Sequence, residues 1–401
     1  MKILRAWKTE LGLNNKQRTA CARHAGAARW AYNWGLSRKM EAYKASEKVP
    51  SAIDLHKELN QLKKGELGWM YEVSKCAPQE ALRNLDMAYQ HFFRRVKAGT
   101  KGKKAGFPRF KSKKNGLGGF RLTGAIHIFA NAIQLPRLGR LRLQEVGYLP
   151  EGAKVLNATV SEKGGRWYVS VQVEVEIPEP ARTKKPVAGV DLGIAGLATI
   201  SDGTIAENPR ALKRNLVKLK RLQRSVSRKQ KGSQNRKKAV KKLARLHQHI
   251  ANIRKNTLHA LTTHLTKTKS VVVIEDLNVS GMVKNHKLAQ AIADVGFYEF
   301  RRQLEYKGTW YGCEVVVVNR FFPSSKTCSN CGQIKDAMPL SERVFRCDCG
   351  TEIDRDLNAA INLVNWYTAS SAEIYACGDR VRPDFQAVVG EAGTKQQPAI
   401  V

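Results

Sequence analysis

Three acidic segments of this sequence have the residue types and positions that metal-assisted phosphodiester chemistry requires. Glu275 directly follows the apolar residues 271–274, and Asp191 closes an apolar segment of its own. Asp354 and Asp356 stand at the start of a stretch with helical apolar spacing. Hydrolysis by two divalent ions needs carboxylates from separate elements that converge on metals about 3.5–4 Å apart. The acids therefore predict a nuclease site for Mg²⁺ or Mn²⁺, because these hard cations prefer oxygen ligands.

Each acid, taken alone, also has a structural interpretation. Asp191 could cap the turn at Gly193, and Asp356 could be a helix N-cap, since acids stabilise helix N-termini. Glu275 is harder to explain in this way, because a charge at the end of a buried strand needs a partner. The three acids together, in this order and context, favour the catalytic interpretation.

Four of the eight cysteines form a second candidate site. Two residues separate Cys328 from Cys331 in a Cys-x2-Cys pair, and one residue separates Cys347 from Cys349 in a tighter Cys-x-Cys pair. Four thiolates on two short turns suit tetrahedral Zn²⁺ and leave no open coordination position, so we expect a structural zinc ion. Chance proximity of reduced thiols is the alternative. The other cysteines are isolated and are expected to be unligated: Cys21, Cys76, Cys313 and Cys377.

The charge balance points to a polyanionic partner. The chain has 70 Lys and Arg against 34 Asp and Glu, for a net charge of +36. This surplus favours DNA or RNA over an anionic membrane surface. No stretch reaches the roughly 18 apolar residues that span a bilayer, and the first residues lack the features of a signal peptide. The cysteines are too few for a secreted disulfide scaffold, so we expect a cytoplasmic protein.

One basic segment lies between Glu207 and Glu275, where 20 Lys and Arg occur without a single acid. Apolar residues recur at helical spacing over 209–228 and 236–268, which predicts an antiparallel helical hairpin with one apolar and one basic side. The candidate nucleic-acid contacts on this hairpin are Arg221, Arg224 and Arg228.

A second basic segment runs from residue 94 to 114 and contains several glycines. Phe107 and Phe110 interleave with its cations, which predicts phosphate binding combined with base stacking. A solvated linker is the alternative. The candidate contacts in this segment are Lys103, Lys104, Arg109 and Lys111.

The first half of the chain combines helices with short β-strands. Residues 2–10 predict a strand, and Asn14-Asn15 opens a long helix. Residues 53–64 and 77–96 predict helices whose aromatic residues form a bundle core. The β-rich residues 119–178 predict a small antiparallel barrel, which the first strand is a candidate to join across the helical insertion.

After a linker at 178–186 the pattern becomes α/β. Residues 187–191 and 197–201 predict two strands around a Gly-rich turn. Residues 271–274 are apolar throughout, which is typical of a strand covered on both faces. A helix near 294–308 and a strand at 313–318 complete the pattern.

These motifs resemble those of the TnpB (OrfB) family, transposon-encoded proteins related to type V CRISPR effectors. The resemblance covers residues 1 to about 368. The segments that carry it are 107–111, 189–193, 273–277, 321–327, the two cysteine pairs and 354–362.

The resemblance implies a multidomain α+β fold. A wedge β-barrel domain, residues 1–10 and 107–180, would be interrupted by a helical recognition domain, residues 11–106. A ribonuclease-H-like (RuvC) α/β nuclease domain, residues 181–320 and 352–368, would contain an inserted zinc ribbon at 321–351. The composition of residues 369–401 predicts a disordered tail.

The resemblance also implies an RNA-guided endonuclease for double-stranded DNA. A guide RNA from the transposon end would pair with one DNA strand, while the protein reads a short adjacent motif. The catalytic acids would be Asp191, Glu275 and Asp356, with Asp354 as second choice, because the Asp-x-Asn-Ala-Ala alignment places Asp356 at the metal. The candidates for reading the adjacent motif are Lys75, Gln79 and Asn84.

The expected setting is the nucleoid of a prokaryotic cytoplasm, and a monomer is favoured. Two alternatives without cleavage stay open, an RNA-guided repressor and a transposition accessory protein. A transposase that uses the same acids for strand transfer is a third.

Overall fold

The computed structural model describes residues 1–99, 106–180, 185–339 and 341–376. The chain divides into two compact units, one of Met1–Ala181 with Arg210–Thr257 and one of Arg182–Pro209 with Leu258–Val401. Lys103, Lys104, Cys377 and most of the predicted tail lie outside the described residues. Among the helices that the structure describes, none combines the length and the apolar character needed to cross a bilayer.

The described elements follow one another from β1 to α9. The strands are β1 (Lys2–Leu11), β2 (Gly119–Leu122), β3 (His127–Phe129), β4 (Ala132–Leu135), β5 (Gly139–Arg142), β6 (Val155–Lys163), β7 (Arg166–Glu176), β8 (Val187–Asp191), β9 (Gly196–Ile200), β10 (Ile205–Glu207), β11 (Val271–Glu275), β12 (Glu314–Val318), β13 (Val344–Arg346) and β14 (Glu352–Asp354). The α-helices are α1 (Asn15–Lys44), α2 (Ala52–Leu62), α3 (Cys76–Lys97), α4 (Ala211–Ser227), α5 (Gln234–Thr268), α6 (Val279–Met282), α7 (Ala289–Val295), α8 (Phe297–Tyr311) and α9 (Arg355–Ala376). Two short 3-10 helices lie at Gly68–Glu72 and Lys113–Asn115.

In the first unit, the N-terminal strand joins the later β-strands as the sequence predicts. β1 pairs antiparallel with β7 from Lys2 opposite Glu176 to Leu11 opposite Trp167. The resulting sheet has the order β1-β7-β6-β2, and β3, β4 and β5 form a second, three-stranded sheet. The long helical insertion therefore lies between β1 and β2, which form the two edges of this sheet.

The helices of the first unit begin where the sequence predicts. Asn14 caps α1 in a capping box, in which its side chain accepts a hydrogen bond from the Gln17 amide at 2.9 Å. This reciprocal pair satisfies two amides at the helix start. α1 packs against α3 through buried small and aliphatic residues. At their contact a Cβ on Gly35 would lie 2.7 Å from Leu82 Cδ2, so the helices approach too closely for a larger residue.

The predicted basic hairpin is present as α4 and α5. Leu219, Leu246 and Ile250 are buried together on its apolar side. The domain prediction assigns residues 210–257 to the nuclease domain, whereas their contacts group them with the first unit. One cause is local: Arg245 Nε donates to the carbonyl of Gly164, in the turn between β6 and β7, at 3.0 Å.

The second unit contains a five-stranded sheet with the order β10-β9-β8-β11-β12. β11 runs parallel to both β8 and β12, while β9 is antiparallel to β8. Successive side chains of a strand point to opposite faces. Val272 and Ile274 pack in a core with α8 residues, whereas Val271 and Val273 pack with Leu363 of α9. Both faces of β11 are therefore covered, as its apolar sequence predicts.

β8 and α9 lie against each other with almost no room between their backbones. A Cβ on Gly189 would lie 2.0 Å from the carbonyl oxygen of Ala360. Ala360 and Leu363 are fully buried at this contact. Only glycine on the strand, with small residues on the helix, allows this approach.

Two predicted boundaries are wrong. The helix expected near 294–308 is broken at Gly296, whose φ of 82° ends α7 before α8 begins. The disordered tail predicted from residue 369 is wrong for residues 369–376, because α9 continues to Ala376. Thr368 and Ser371 donate their hydroxyl groups to carbonyls one turn earlier, so these polar residues are accommodated within the helix.

We expect Gly189→Ala to destabilise the second unit. The new methyl group would force β8 and α9 apart, at a cost of about 1–3 kcal/mol in the free energy of unfolding, as in other overpacked cores. Chemical denaturation measures this cost. The control is Gly196→Ala in β9, where the nearest atom to the new Cβ would be Ile205 Cγ2 at an ordinary 3.4 Å. Equal stability of the two variants would contradict the role of the close approach.

Candidate active site and metal centre

The sheet of the second unit brings two of the predicted acids to one edge. Asp191 ends β8 and Glu275 ends β11. The strands are parallel, and Ile274 lies opposite Val190, so the two acids are the next residues in register. Both acids share the side-chain parity of Val271, Val273 and Gly189, and therefore face α9.

The third predicted acid comes from α9 itself. Asp356 lies in the first turn of that helix, which packs on β8 through Gly189 and Ala360. Burial is the main reason that the pKa of Asp191 rises to about 7, and the carboxylates of Glu275 and Asp356 raise it further. Burial also raises the pKa of Glu275 and of Asp356. The three acids are thus partly buried, and Glu275 and Asp356 both repel Asp191, which is the environment expected of a cation site.

In the described part of the chain, the four cysteines are the one group of three or more His, Cys, Asp or Glu residues whose ligand atoms all lie within 4.8 Å of one another. The three acids do not form a group that close.

Asp354 and Asp356 have different environments. Asp354 Oδ1 accepts hydrogen bonds from the amides of Asp356 at 2.9 Å and Leu357 at 3.0 Å. Asp354 is therefore the residue that caps α9, so the capping interpretation offered for Asp356 belongs to Asp354. The Asp356 carboxylate instead lies 4.0 Å from Arg343 Nη1 and contributes to the raised pKa of Asp191.

Glu275 and its neighbour Asp276 have separate partners. The Ser324 hydroxyl donates to Glu275 Oε1, and this bond lowers the pKa that burial raises. Asp276 accepts from Arg301 Nη1 at 2.9 Å and also from Arg320. The ion pairs of Asp276 secure the segment around Glu275, whereas Glu275 itself forms no ion pair with a Lys or Arg among the described residues.

Asparagines of α9 hold the segment that follows Ser324. Asn362 Nδ2 donates to the carbonyls of Ser324 at 2.8 Å and Thr327 at 2.6 Å. Asn358 donates to Thr327 at 2.7 Å and accepts from the Ser329 amide at 3.0 Å. Sequence reasoning assigned these residues no role. In the sequence, these two residues could be recognised by the four-residue spacing of their amide side chains on an otherwise apolar helix face.

The predicted cysteine site is assembled. Cys328 Sγ lies 3.7 Å from Cys349 Sγ, and Cys331 Sγ lies 3.6 Å from Cys347 Sγ. Zn–S bonds of about 2.3 Å give tetrahedral S···S edges of about 3.8 Å, whereas a disulfide needs about 2.05 Å. Thr351 is hydrogen-bonded to the thiol of Cys349 and lowers its pKa to about 6, which favours the thiolate that metals bind. The four sulfur atoms therefore fit a tetrahedral metal ion.

The predicted nucleic-acid contacts fall in three places within the first unit. Lys75 and Asn84 are exposed at or on α3, and Gln79 is half-buried there. Arg221, Arg224 and Arg228 are exposed along α4, and the last two line a shallow groove with Lys220, Gln223 and Ser227. Arg109 is exposed in the segment that follows the undescribed Lys103 and Lys104.

Two residues of that segment have partners within the fold. The Lys111 ammonium lies 3.7 Å from the centroid of the Tyr32 ring. Phe107 packs edge-on against Tyr89 and Phe92, with centroids 5.4 Å and 5.3 Å away. Phe110, by contrast, remains 55% exposed and is the better candidate for base stacking.

Three protein-family models match parts of the chain. The model OrfB_IS605, described as "Probable transposase", matches residues 170–286, which include Asp191 and Glu275. The "Cas12f1-like, TNB domain" model matches residues 297–363, which include the four cysteines and Asp356. A model of OrfB_IS605 described as "Helix-turn-helix domain" matches residues 1–48.

Similar proteins cover almost the full chain. A Streptomyces pristinaespiralis protein named "Putative RNA-guided DNA endonuclease" is 39% identical over 99% of this chain and 97% of its own length. The Escherichia coli K12 protein "Putative RNA-guided DNA endonuclease InsQ" is 36% identical over 95% of this chain and 96% of its own. Among solved structures, the mini-RNA-guided endonuclease CRISPR-Cas_phi3 matches with a TM-score of 0.49, 10% identity, and coverage of 91% of this chain and 92% of that one.

In magnesium-free buffer, we expect Asp191→Asn to change how stability depends on pH. The pKa of Asp191 is about 7 in the folded protein and ordinarily 3.8, so the unfolded chain ionises first as the pH rises. The wild type therefore loses stability between about pH 4 and 7, and the variant does not. The gain of the variant should reach about 2–4 kcal/mol above pH 7, where each pKa unit corresponds to about 1.4 kcal/mol.

Urea denaturation at pH 4 and pH 8 measures this difference. Asp202→Asn is the control, and its effect on stability should have the opposite sign. A hydrogen bond from Lys269 lowers the pKa of Asp202 to about 2. Asp202 therefore contributes stability above pH 4 that is lost as the pH falls through 2, and its replacement should destabilise the protein at pH 8. An Asp191→Asn effect of the same size at both pH values would disagree with a buried, repelled carboxylate.

We expect the purified protein to contain about one zinc ion per chain and Cys331→Ser to lose it. Four thiolates are needed to complete the tetrahedron. Elemental analysis by mass spectrometry gives the metal content. Cys313→Ser is the matched control, because Cys313 is a buried thiol of the same unit outside the cluster. Equal zinc contents in the two variants would exclude the cysteine cluster as the binding site.

Proposed function

Because the chain belongs to the TnpB (OrfB) family, we propose that it is an RNA-guided endonuclease that cuts double-stranded DNA. The observation that carries this proposal is the convergence of Asp191, Glu275 and Asp356 on one sheet edge, with burial raising the pKa of each. Buried carboxylates that lie close together are stabilised when they bind divalent cations. In a chain of net charge +36, a nucleic-acid phosphate is the substrate that this arrangement suits.

The proposed site uses each acidic residue differently. Asp191, Glu275 and Asp356 would hold two Mg²⁺ or Mn²⁺ ions, which when bound activate a water molecule and stabilise the leaving oxygen of the phosphodiester. Asp354 fixes the first turn of α9 through the Asp356 and Leu357 amides. Ser324 orients Glu275 by donating to its carboxylate. Asp356 is therefore preferred over Asp354 as the third ligand.

The fold that we propose follows the family. The five-stranded sheet with α9 on one face and α8 on the other supports a ribonuclease-H-like, RuvC-type nuclease domain. Residues 321–351 would be a zinc ribbon inserted before its last helix, with Cys328, Cys331, Cys347 and Cys349 holding Zn²⁺. The two antiparallel sheets of residues 1–10 and 107–180 would form the wedge barrel, and residues 11–106 the recognition domain.

The proposed partners are a guide RNA from the transposon end and a target DNA duplex. The guide would supply sequence specificity by base pairing, and the protein would read a short adjacent motif, with Lys75, Gln79 and Asn84 as candidates. The acid-free hairpin with Arg221, Arg224 and Arg228 would bind phosphates. We propose that the protein acts as a monomer in the nucleoid of a prokaryotic cytoplasm.

Cleavage by the complex with its guide RNA tests the proposal. We expect Asp191→Ala and Asp356→Ala to lower the rate of plasmid cleavage in Mg²⁺ by more than about 100-fold, because even indirect partners of a metal are worth about 10- to 100-fold. Asp354→Asn should cut within a few-fold of wild type, since asparagine also caps helices well. All variants should retain the copurified RNA, which sequencing identifies.

Other results would point to the alternatives. A wild type that binds guide and target but never cuts would be an RNA-guided repressor or an accessory protein. Joined products with transposon-end DNA would indicate strand transfer. Loss of cleavage in Asp354→Asn but not in Asp356→Ala would exchange the roles of the two residues.

A further inference from the structure

The first unit contains a pocket that the nuclease site does not explain. It has a volume of about 490 Å³ and lies between α1 and the 3-10 helix Gly68–Glu72. This volume is within the range of about 300–1,000 Å³ that is usual for small-ligand sites. Its lining includes Arg23, Gly26, Arg29, Trp30, Trp69 and Glu72.

Two tryptophans provide the apolar surface of the pocket. Trp30 and Trp69 meet edge to face, with centroids 6.3 Å apart and planes at 88°. Trp30 also stacks on Trp34, with ring centroids 5.9 Å apart, and this contact fixes the orientation of the Trp30 ring. Trp69 nevertheless remains 45% exposed. A fixed aromatic ring with an open face is a platform on which a planar ligand can stack.

Gly26 is the second feature of this pocket that favours a bound ligand. It lies in the interior of α1, where glycine costs about 0.5–1 kcal/mol relative to alanine. A Cβ added to Gly26 would meet nothing within 4 Å, so no contact inside the protein requires glycine. Gly35 of the same helix differs, because its Cβ would meet Leu82 at 2.7 Å. The missing side chain at Gly26 therefore leaves this part of the pocket open.

Arginines at the pocket give it a preference for anions. Arg23 Nη1 bonds Glu72 Oε2 at 2.7 Å, and Arg29 Nη1 bonds the carbonyl of Leu117 at 3.2 Å. Each guanidinium has five N–H donors, so these bonds position the groups without using all their donors. Glu72 offsets part of this charge, but Asn33 binds both backbone groups of Lys111 and so fixes a basic segment next to the pocket.

We propose that this pocket binds one unpaired nucleobase of a nucleic-acid strand, stacked on Trp69, with the adjoining phosphate on Arg23 and Arg29. A flat base suits the exposed ring and the open floor at Gly26, and its phosphate suits the guanidinium groups. The strand could be the guide RNA or a DNA strand of the target, which share this chemistry. Only the source of that strand rests on the proposed function; the binding of a base in this pocket does not.

Filling the pocket tests the proposal without disturbing the fold. In the full-length protein, Gly26→Ala should fold with a melting temperature no lower than wild type, because nothing lies within 4 Å of the added Cβ; the same measurement checks that Gly26→Leu is folded. Their affinity for single-stranded 12-mers should fall as the side chain grows. Loss of one stacked base corresponds to roughly 5- to 150-fold weaker binding, and Trp69→Ala should match Gly26→Leu.

Salt dependence separates this loss from the general attraction of a basic protein. Stacking releases no counterions, so Gly26→Leu should lower the affinity without changing the slope of log K against log salt. Arg224→Ala, on the exposed face of α4, should instead reduce that slope by about 1. A slope reduced as much in Gly26→Leu as in Arg224→Ala, with no further loss of affinity, would overturn the stacked base, because the lost contact would then be purely electrostatic.

The choice of oligonucleotide identifies the strand. Weaker binding of RNA 12-mers alone assigns the base to the guide, and weaker binding of DNA 12-mers alone assigns it to the target. Wild-type affinity of folded Gly26→Leu and Trp69→Ala for both would overturn the proposal. These assays need no cleavage, so failure of the proposed nuclease would leave the result interpretable.

Discussion

The close approach of Gly189 to Ala360 is the constraint on which the candidate nuclease site depends. It presses the backbone of β8 against α9. Asp191 follows two residues after that contact, and Asp356 precedes it by about one helical turn. The same contact therefore fixes the distance between two acids that lie far apart in the sequence. Glu275 joins them through the parallel register of β11 with β8. Neither the parallel strands nor the helix alone would bring the three carboxylates together.

α9 also joins the acids to the cysteine cluster. Asn358 and Asn362 satisfy the carbonyls of Ser324 and Thr327, just before Cys328. Buried carbonyls need such donors, and side-chain amides can supply them where no strand partner is present. Because Ser324 donates to Glu275, one short segment contacts the acid at its start and leads into the first cysteine pair at its end. The cysteine cluster is thus part of the framework that positions the acids.

Much of this arrangement follows from local sequence rules. The apolar residues 271–274 predict a strand covered on both faces, and the alternation of a strand then fixes the face of Glu275. Asn14 predicts the start of α1 because its side chain can accept from the Gln17 amide. Asp354 and Asp356 cannot be distinguished in this way, since either suits a helix start. Only the hydrogen bonds of the folded chain show that Asp354 forms the cap.

Long-range contacts account for what the sequence could not predict, and the glycines show why. The sequence alone does not distinguish Gly26, Gly35 and Gly189, because each is a glycine within an apolar or helical stretch. The structure separates them by the space around a hypothetical Cβ: a backbone carbonyl at Gly189, a leucine at Gly35 and nothing at Gly26. Two of these glycines are explained by close packing between elements of the fold. The third costs helix stability without a nearby atom that requires glycine, and it lies in the lining of the pocket in which we propose a stacked base.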